Sequence, residues 1–104
     1  MAKSFFVLKA KSNDGYCDDH GDYHAMVCND PFTMHYCETY DDAKKLLAKE
    51  SRQKCRYEWM DVVYFKEDKD KIVKRYAEYD KRKHRYTEGF EVTWWIDKID
   101  FTKP

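Results

Sequence analysis

The side chains best suited to chemistry gather early in the chain. Cys17, His20, His24 and Cys28 are spaced C-x2-H-x3-H-x3-C, and His35 and Cys37 follow. Thiolate and imidazole are the ligands zinc prefers, and closed sets of four build structural sites. If 23–28 and 33–37 are strands, the even separations put His24 with Cys28, and His35 with Cys37, on common faces. A hairpin between those strands would then gather four soft ligands. The spacing is not that of a zinc finger, which pairs C-x2-4-C with H-x3-5-H. Free cysteines also serve commonly as small buried hydrophobes. The expectation is no cofactor, with structural zinc on Cys17, His20, His24 and Cys28 as the metal alternative.

Two charged stretches offer other chemistry. Asp14, Asp18, Asp19 and Asp22 could present oxygens to a hard cation, but the D-x-[DN]-x-[DN]-G pattern with a distal Glu is missing. A solvated loop is the expectation there. Between residues 69 and 85 stand Lys69, Lys71, Lys74, Arg75, Lys81, Arg82, Lys83 and Arg85 against Asp70, Glu78 and Asp80, with Tyr76 and Tyr79 interleaved and Tyr86 following. Cations bind phosphates and single-stranded bases stack on aromatics, so a nucleic-acid contact along a basic helix is the alternative function. The competing explanation is the polar face that every surface helix needs, with positive charge at its C-terminus offsetting the dipole.

Aromatic residues make up 17% of the chain, with three Trp and nine Tyr. In a terminal strand, Trp94 and Trp95 must point to opposite faces. If Trp94 points inward, the other face carries Trp95 with Thr93, Ile99 and Phe101. A two-layer domain leaves one sheet face uncovered, and Tyr and Trp dominate interface hot spots. Trp95, Thr93, Ile99 and Phe101, with Lys81, Arg82, Lys83, Arg85 and Tyr86, are therefore the candidate partner-binding residues. The partner would be another protein or a second copy of the chain.

Enzyme signatures are missing. Only Gly15, Gly21 and Gly89 are available for a phosphate loop, and Ser4, Ser12 and Ser51 sit in no G-x-S-x-G elbow. Cys37 near His35 lacks a recognisable orienting acid and oxyanion hole. A non-enzymatic protein is the expectation. Twenty basic residues balance twenty acidic ones, so no net field steers the chain to nucleic acid or membrane. Residues 1–50 carry six basic and nine acidic side chains, and the remainder carry fourteen and eleven. Phe5–Leu8 is too short for the roughly 7–15 apolar residues of a signal h-region, and no stretch reaches the roughly 20 of a membrane span. A cytoplasmic protein with reduced Cys17, Cys28, Cys37 and Cys55 is expected.

Elements must position these groups. At 104 residues, 1–104 is expected to be one domain. Residues 4–11 alternate as a first strand, and 12–22 have the Gly and Asp content of a loop. Tyr23–Cys28 and 33–37 follow as strands around the Asn29-Asp30-Pro31 turn, as hairpin partners. Thr39 caps a helix running to about residue 54, with Asp41 and Asp42 on its first turn. Tyr57–Phe65 reads as a buried strand. Asp68 opens a second helix with Ile72, Val73, Tyr76, Ala77 and Tyr79 toward the sheet, and Thr87-Glu88-Gly89 ends it. Phe90, Val92, Trp94 and Ile96 alternate in a last strand whose phase breaks at Ile99 and Phe101, as at a bulge. The expected fold is α+β, a mostly antiparallel sheet in the order β-β-β-α-β-α-β with two helices on one face.

In length and Lys/Tyr/Asp-rich composition the chain resembles the short proteins of large tailed phages, which often bind and inhibit a host factor. The resemblance rests on no motif and transfers no residues. It implies a protein-binding inhibitor, in keeping with the aromatic surplus and the segregated charge.

Overall fold

The computed structural model describes residues 3–53 and 57–101. Its elements are β1 (Lys3–Cys17), β2 (Tyr23–Cys28), β3 (Phe32–Cys37), α1 (Tyr40–Ser51), β4 (Met60–Glu67), β5 (Lys71–Asp80) and β6 (Arg85–Phe101). The strands form one antiparallel sheet in the order β2-β1-β6-β5-β4, with β3 also paired to β1. β1 and β6 are its long central pair, in unbroken register from Lys3↔Phe101 to Tyr16↔Glu88. No bulge occurs at Ile99, against the phase break expected there. The outer edge of β1 is shared: β3 pairs with Phe6–Ala10 and β2 with Asn13–Cys17. β2 and β3 are therefore not hairpin partners. The molecule is long and narrow, 61 × 23 × 20 Å, and its 16.6 Å radius of gyration exceeds the about 13 Å of a compact chain this size.

The expected two-helix α+β fold is corrected. Among the described residues α1 is the one helix, and 68–86 forms β5, a tight turn and the start of β6. The same residues satisfy both periods: Ile72 and Tyr76 fall on one helix stripe and equally on one strand face. The strand wins because β4 and β6 flank this segment and satisfy its backbone on both sides. Its β-branched and aromatic content suits a pleated surface. Asp80 then turns the chain, its carboxylate accepting from the Arg82 and Lys83 amides at 2.9 and 3.2 Å, while His84 takes a positive φ of 55°. Thr87-Glu88-Gly89 lies inside β6. β1 continues through the segment expected to be a loop, leaving 18–22 as the turn. β4 is an exposed edge strand rather than a buried one.

The expected cap on α1 forms: Thr39 Oγ1 accepts from the Asp42 amide at 3.1 Å. The helix buries Ala43 and Leu47 against Leu8, Ala10, Ile72 and Trp94, with Met34, Leu46, Val92 and Ile96 around them. Side-chain links dock it further. Tyr40 Oη donates to the Asp70 carboxylate, Lys44 Nζ to the Lys69 carbonyl, and Lys74 Nζ to the Ser51 carbonyl at 2.9 Å. At 12 residues α1 is about 18 Å long, whereas the 15 residues of β1 extend about 50 Å. Much of that sheet face lies beyond the helix.

A row of small residues crosses the sheet past the helix end. Gly15 pairs with Gly89, and Gly89 with Ala77. A Cβ on Gly15 would stand 2.2 Å from the His24 carbonyl oxygen, and one on Gly89 2.1 Å from that of Tyr76. Neither glycine has a positive φ; close backbone approach is what excludes a side chain. Register shifts at Asp14/Gly15, Ala77/Tyr79 and Val62/Tyr64 lie at the same level, where bulges add bend and twist. We predict that Gly89→Ala destabilises the fold by about 1–3 kcal/mol, as overpacking does, and Leu47→Ala by about 2–5 kcal/mol. Urea unfolding followed by circular dichroism measures both.

Candidate functional site

The Cys/His set is not brought together. The register shift in the β1–β2 pair reverses the phase of β2 partway along. His24 lies opposite Tyr16 and stacks on its ring, with centroids 5.2 Å apart, whereas Cys28 lies opposite Asn13 on the other face. Cys17 shares that other face but is four positions of β1 away, about 13 Å. His20 is in the exposed turn. His35 and Cys37 do share a face, opposite Leu8 and Phe6. Yet Leu8 and Tyr16 are eight positions apart, so His35 and His24 are separated by about 27 Å along β1. Among the described residues no group of three or more His, Cys, Asp or Glu is placed to hold a metal. Cys55 lies outside the described residues. The Cys37 thiol is pushed up from its ordinary range chiefly by burial, then by Asp42, which keeps it protonated beside His35.

The acidic turn has a structural role. Asp18 accepts from the His20 and Asp22 amides, each at 2.9 Å, and pairs with His24 Nε2 at 2.7 Å. The His24 contact first, and then the Asp22 amide, hold its carboxyl at about 2, below the ordinary 3.8. The basic residues of 69–85 are not aligned on a helix; Lys81, Arg82, Lys83 and Arg85 line one hollow of about 700 Å³ at the β5–β6 turn, and the others lie apart from it. Lys74 is bound to α1, Arg75 is tied into a network, and Lys81, Arg82 and Lys83 stand exposed at the β5–β6 turn. Lys71 and Lys81 are ten strand positions apart, about 34 Å. Arg85 donates to the Cys17 carbonyl and pairs with Asp19 at 3.1 Å, and Tyr86 Oη donates to Asp61 at 3.0 Å.

Trp94 points into the core beneath α1, and Trp95, Thr93 and Ile99 occupy the other face, as alternation requires. Thr93 is buried, Trp95 and Ile99 are half-buried, and Trp95 Nε1 donates to Asp97 at 3.2 Å. The side chain of Phe101 lies outside the described residues. Farther along this face the Arg75 guanidinium sits between the rings of Tyr23 and Tyr64, at 4.5 and 4.7 Å. It donates through Nε and Nη2 to one oxygen of Glu91, at 3.0 and 2.7 Å. Asn13 donates to the other Glu91 oxygen and accepts from Tyr23 at 2.6 Å. Burial first, and then Glu91, push the Tyr23 phenol up to about 12. This network joins β2, β1, β6, β5 and β4 across the sheet.

An apolar concave surface lies on the helix side, where α1 stops. A groove of about 430 Å³ runs from Phe32, Met34 and Trp94 over Val92 to Phe90, Tyr76 and Tyr57, bordered by Ser12, Asp14, Glu50 and Gln53. A second hollow of about 610 Å³ shares Asp14, Tyr57 and Phe90 with it and continues to Met26, Val27, Met60 and Glu88. Tyr76 stacks on Phe90 at 4.8 Å, Tyr57 meets Phe90 edge-on at 6.2 Å, and Trp59 lies 5.1 Å from Tyr57. Phe32 is 55% exposed, Trp59 61% and Met26 71%. Of the residues singled out from the sequence, Trp95, Thr93 and Ile99 lie on the opposite face and Lys81, Arg82, Lys83, Arg85 and Tyr86 at or next to the β5–β6 turn; this groove was not among them. The signal was the helix length: twelve residues cannot cover strands of fifteen and seventeen.

Two predictions follow from these contacts. The Asp18 carboxyl is lowered in the folded state, so its contribution is complete above about pH 4 and is lost as pH falls through about 2. Thermal melts at pH 4 and pH 2 should show a larger loss for wild type than for Asp18→Asn. Arg75→Ala leaves the part-buried Glu91 without its cationic partner, with only Asn13 still donating to it, and should cost about 1.5–3 kcal/mol, whereas Lys83→Ala at the turn should change urea stability by less than about 0.5 kcal/mol. No helix among the described residues is long and apolar enough to cross a membrane. Comparison with known protein families, curated proteins and solved structures yields no match for this chain.

Proposed function

We propose that this protein is a non-enzymatic binding module that captures an apolar, basic-flanked segment of a protein partner in the aromatic groove beyond α1. The observation that carries the reading is an apolar groove beyond α1 whose floor runs over Trp94, Val92, Phe90 and Tyr76, with exposed Phe32 at one end and exposed Tyr57, backed by Trp59, at the other. Contiguous exposed apolar surface is uncommon on a monomeric domain and costs free energy in water until it is covered. Aromatic and Met side chains are the types that anchor interfaces, and stacking fixes the Tyr76–Phe90 floor before a partner arrives. Asp14, Glu50 and Glu88 border the two hollows, Glu50 also meeting His35 at 3.4 Å, while Lys74 among the described residues is bound to the Ser51 carbonyl. Apolar anchors flanked by Lys or Arg complement that arrangement. Occupying such a segment blocks whatever else docks on it, which is how a module without catalytic groups would inhibit its partner.

The test is selection of a displayed random 12-residue peptide library on the protein at physiological salt. Peptides combining aromatic or aliphatic residues with Lys or Arg should be enriched. The double variant Phe32→Ser, Tyr57→Ser should weaken binding of a selected synthetic peptide at least thirtyfold in calorimetry, since anchor residues contribute about 2 kcal/mol or more each. Enrichment of nothing, or equal binding by the variant, would refute the reading. Binding of a single-stranded oligonucleotide that falls steeply with salt and is lost on Lys81→Ala, Arg82→Ala, Lys83→Ala would favour the basic turn and nucleic acid instead.

A further inference from the structure

β4 ends the sheet, and among the described residues no strand pairs with its outer side. An edge presents a row of unpaired amide and carbonyl groups, and natural edges are usually blunted by bulges, by charge or by shortness. β4 is eight residues long, and Val62 is 50% and Phe65 48% exposed. It carries a bulge and three charges, Asp61, Lys66 and Glu67, yet the placement of the bulge with Asp61 and Lys66 favours pairing with itself.

The register with β5 shows why. Val62 lies opposite Tyr76 and Phe65 opposite Lys74, so both stand on the helix-side face. Asp61 lies opposite Ala77 and Lys66 opposite Val73, so both stand on the other face. In a regular strand, residues three or five apart point to opposite sides. The register shift between Val62 and Tyr64 inserts one residue and restores both pairs to common faces. Two antiparallel strands related by a two-fold axis normal to the sheet can oppose only residues that share a face. The bulge therefore permits a centre at Val63–Tyr64, with Val62 opposite Phe65 of the second copy and Asp61 opposite its Lys66, each pair formed twice.

We propose that two copies of this chain pair antiparallel through β4, forming one continuous sheet with both helices on the same face. Lysine on an edge strand ordinarily repels a second edge. Here it meets an aspartate across the two-fold, where an opposite-charge cross-strand pair is favourable and a like pair unfavourable. The aligned Val62 and Phe65 side chains cover one another on the helix side.

Sedimentation velocity over a dilution series tests this. Wild type should form a reversible dimer. Asp61→Lys and Lys66→Asp should each raise the dissociation constant at least tenfold, because each sets like charges opposite one another twice. An equimolar mixture of the two variants should recover a dimer, since their charges are then complementary, and so should the double variant Asp61→Lys, Lys66→Asp. Circular dichroism establishes that each variant remains folded, because Asp61 also accepts from Tyr86. The groove variant Phe32→Ser, Tyr57→Ser should dimerise as wild type does, which keeps this surface distinct from the groove. A wild type that stays monomeric to millimolar concentration, single variants that dimerise unchanged, or a mixture that fails to recover would overturn the proposal.

Discussion

The approach of backbones at the Gly15–Gly89–Ala77 row is the constraint on which the rest of the structure depends. Neither glycine has room for a methyl group, because a carbonyl oxygen occupies the place where Cβ would stand. The row sits where three of the strand pairs slip by one residue. Without side chains to hold the strands apart, the ladder can bend there without losing the central β1–β6 pairing. Tyr23 takes the vacated space over Gly15, its phenol carbon 2.8 Å from the missing Cβ position. From there its ring packs on Arg75. The Arg75–Glu91–Asn13–Tyr23 network thus owes its geometry to an absent side chain.

The two ends of the sheet are stabilised differently as a result. One end is a conventional layered core, with α1 over Leu8, Ala10, Ile72 and Trp94. The other is held by the polar and aromatic network on one face, while on the opposite face, beyond the helix, Tyr57 packs on Phe90. Hydrophobic burial at one end and charge-assisted hydrogen bonds at the other are separate sources of stability, and they respond to different perturbations. The aromatic groove occupies the junction. Its inner wall, Trp94 and Met34, belongs to the core; its outer part, Phe90, Tyr76 and Tyr57, belongs to the end that the helix does not reach. Rigidity on one side and exposure on the other suit a recognition surface, since little order remains to be imposed on binding.

Much of the local structure was legible in the sequence. Thr39 with Asp41 and Asp42 marks the helix start, Tyr23–Cys28 alternates as a strand, and Trp94 against Trp95 resolves into an inward and an outward ring. What was not legible depends on pairing between distant segments. Residues 71–80 fit a helical stripe and a strand face equally well, and the choice rests on β4 and β6 supplying hydrogen bonds from either side. The continuation of β1 through Asn13, Asp14 and Gly15 goes against their turn propensity, and β6 compensates by pairing with each of them. The faces of His24 and Cys28 follow from counting by two only while the ladder is regular. A single inserted residue reverses the count, so the zinc geometry built on even spacing does not survive the bulge.

Charge shows the same lesson at longer range. The chain divides into an acidic first half and a basic second half, which in an extended polymer would be a dipole. Folding brings the poles together. β1 and β6 are antiparallel neighbours, so the Asp18–Asp22 turn at the end of β1 and the Lys81–His84 turn before β6 emerge at the same end of the sheet. Arg85 and Asp19 pair directly there, at 3.1 Å. Opposite charges this close cancel within the screening length of about 8 Å in physiological salt. That pairing weakens the dipole that the two halves of the sequence would otherwise present. Discrimination falls to contacts made at touching distance, where shape, aromatic anchors and the few carboxylates at the groove edge decide what fits. That is a further physical reason to look for function in the groove rather than in the charged turns.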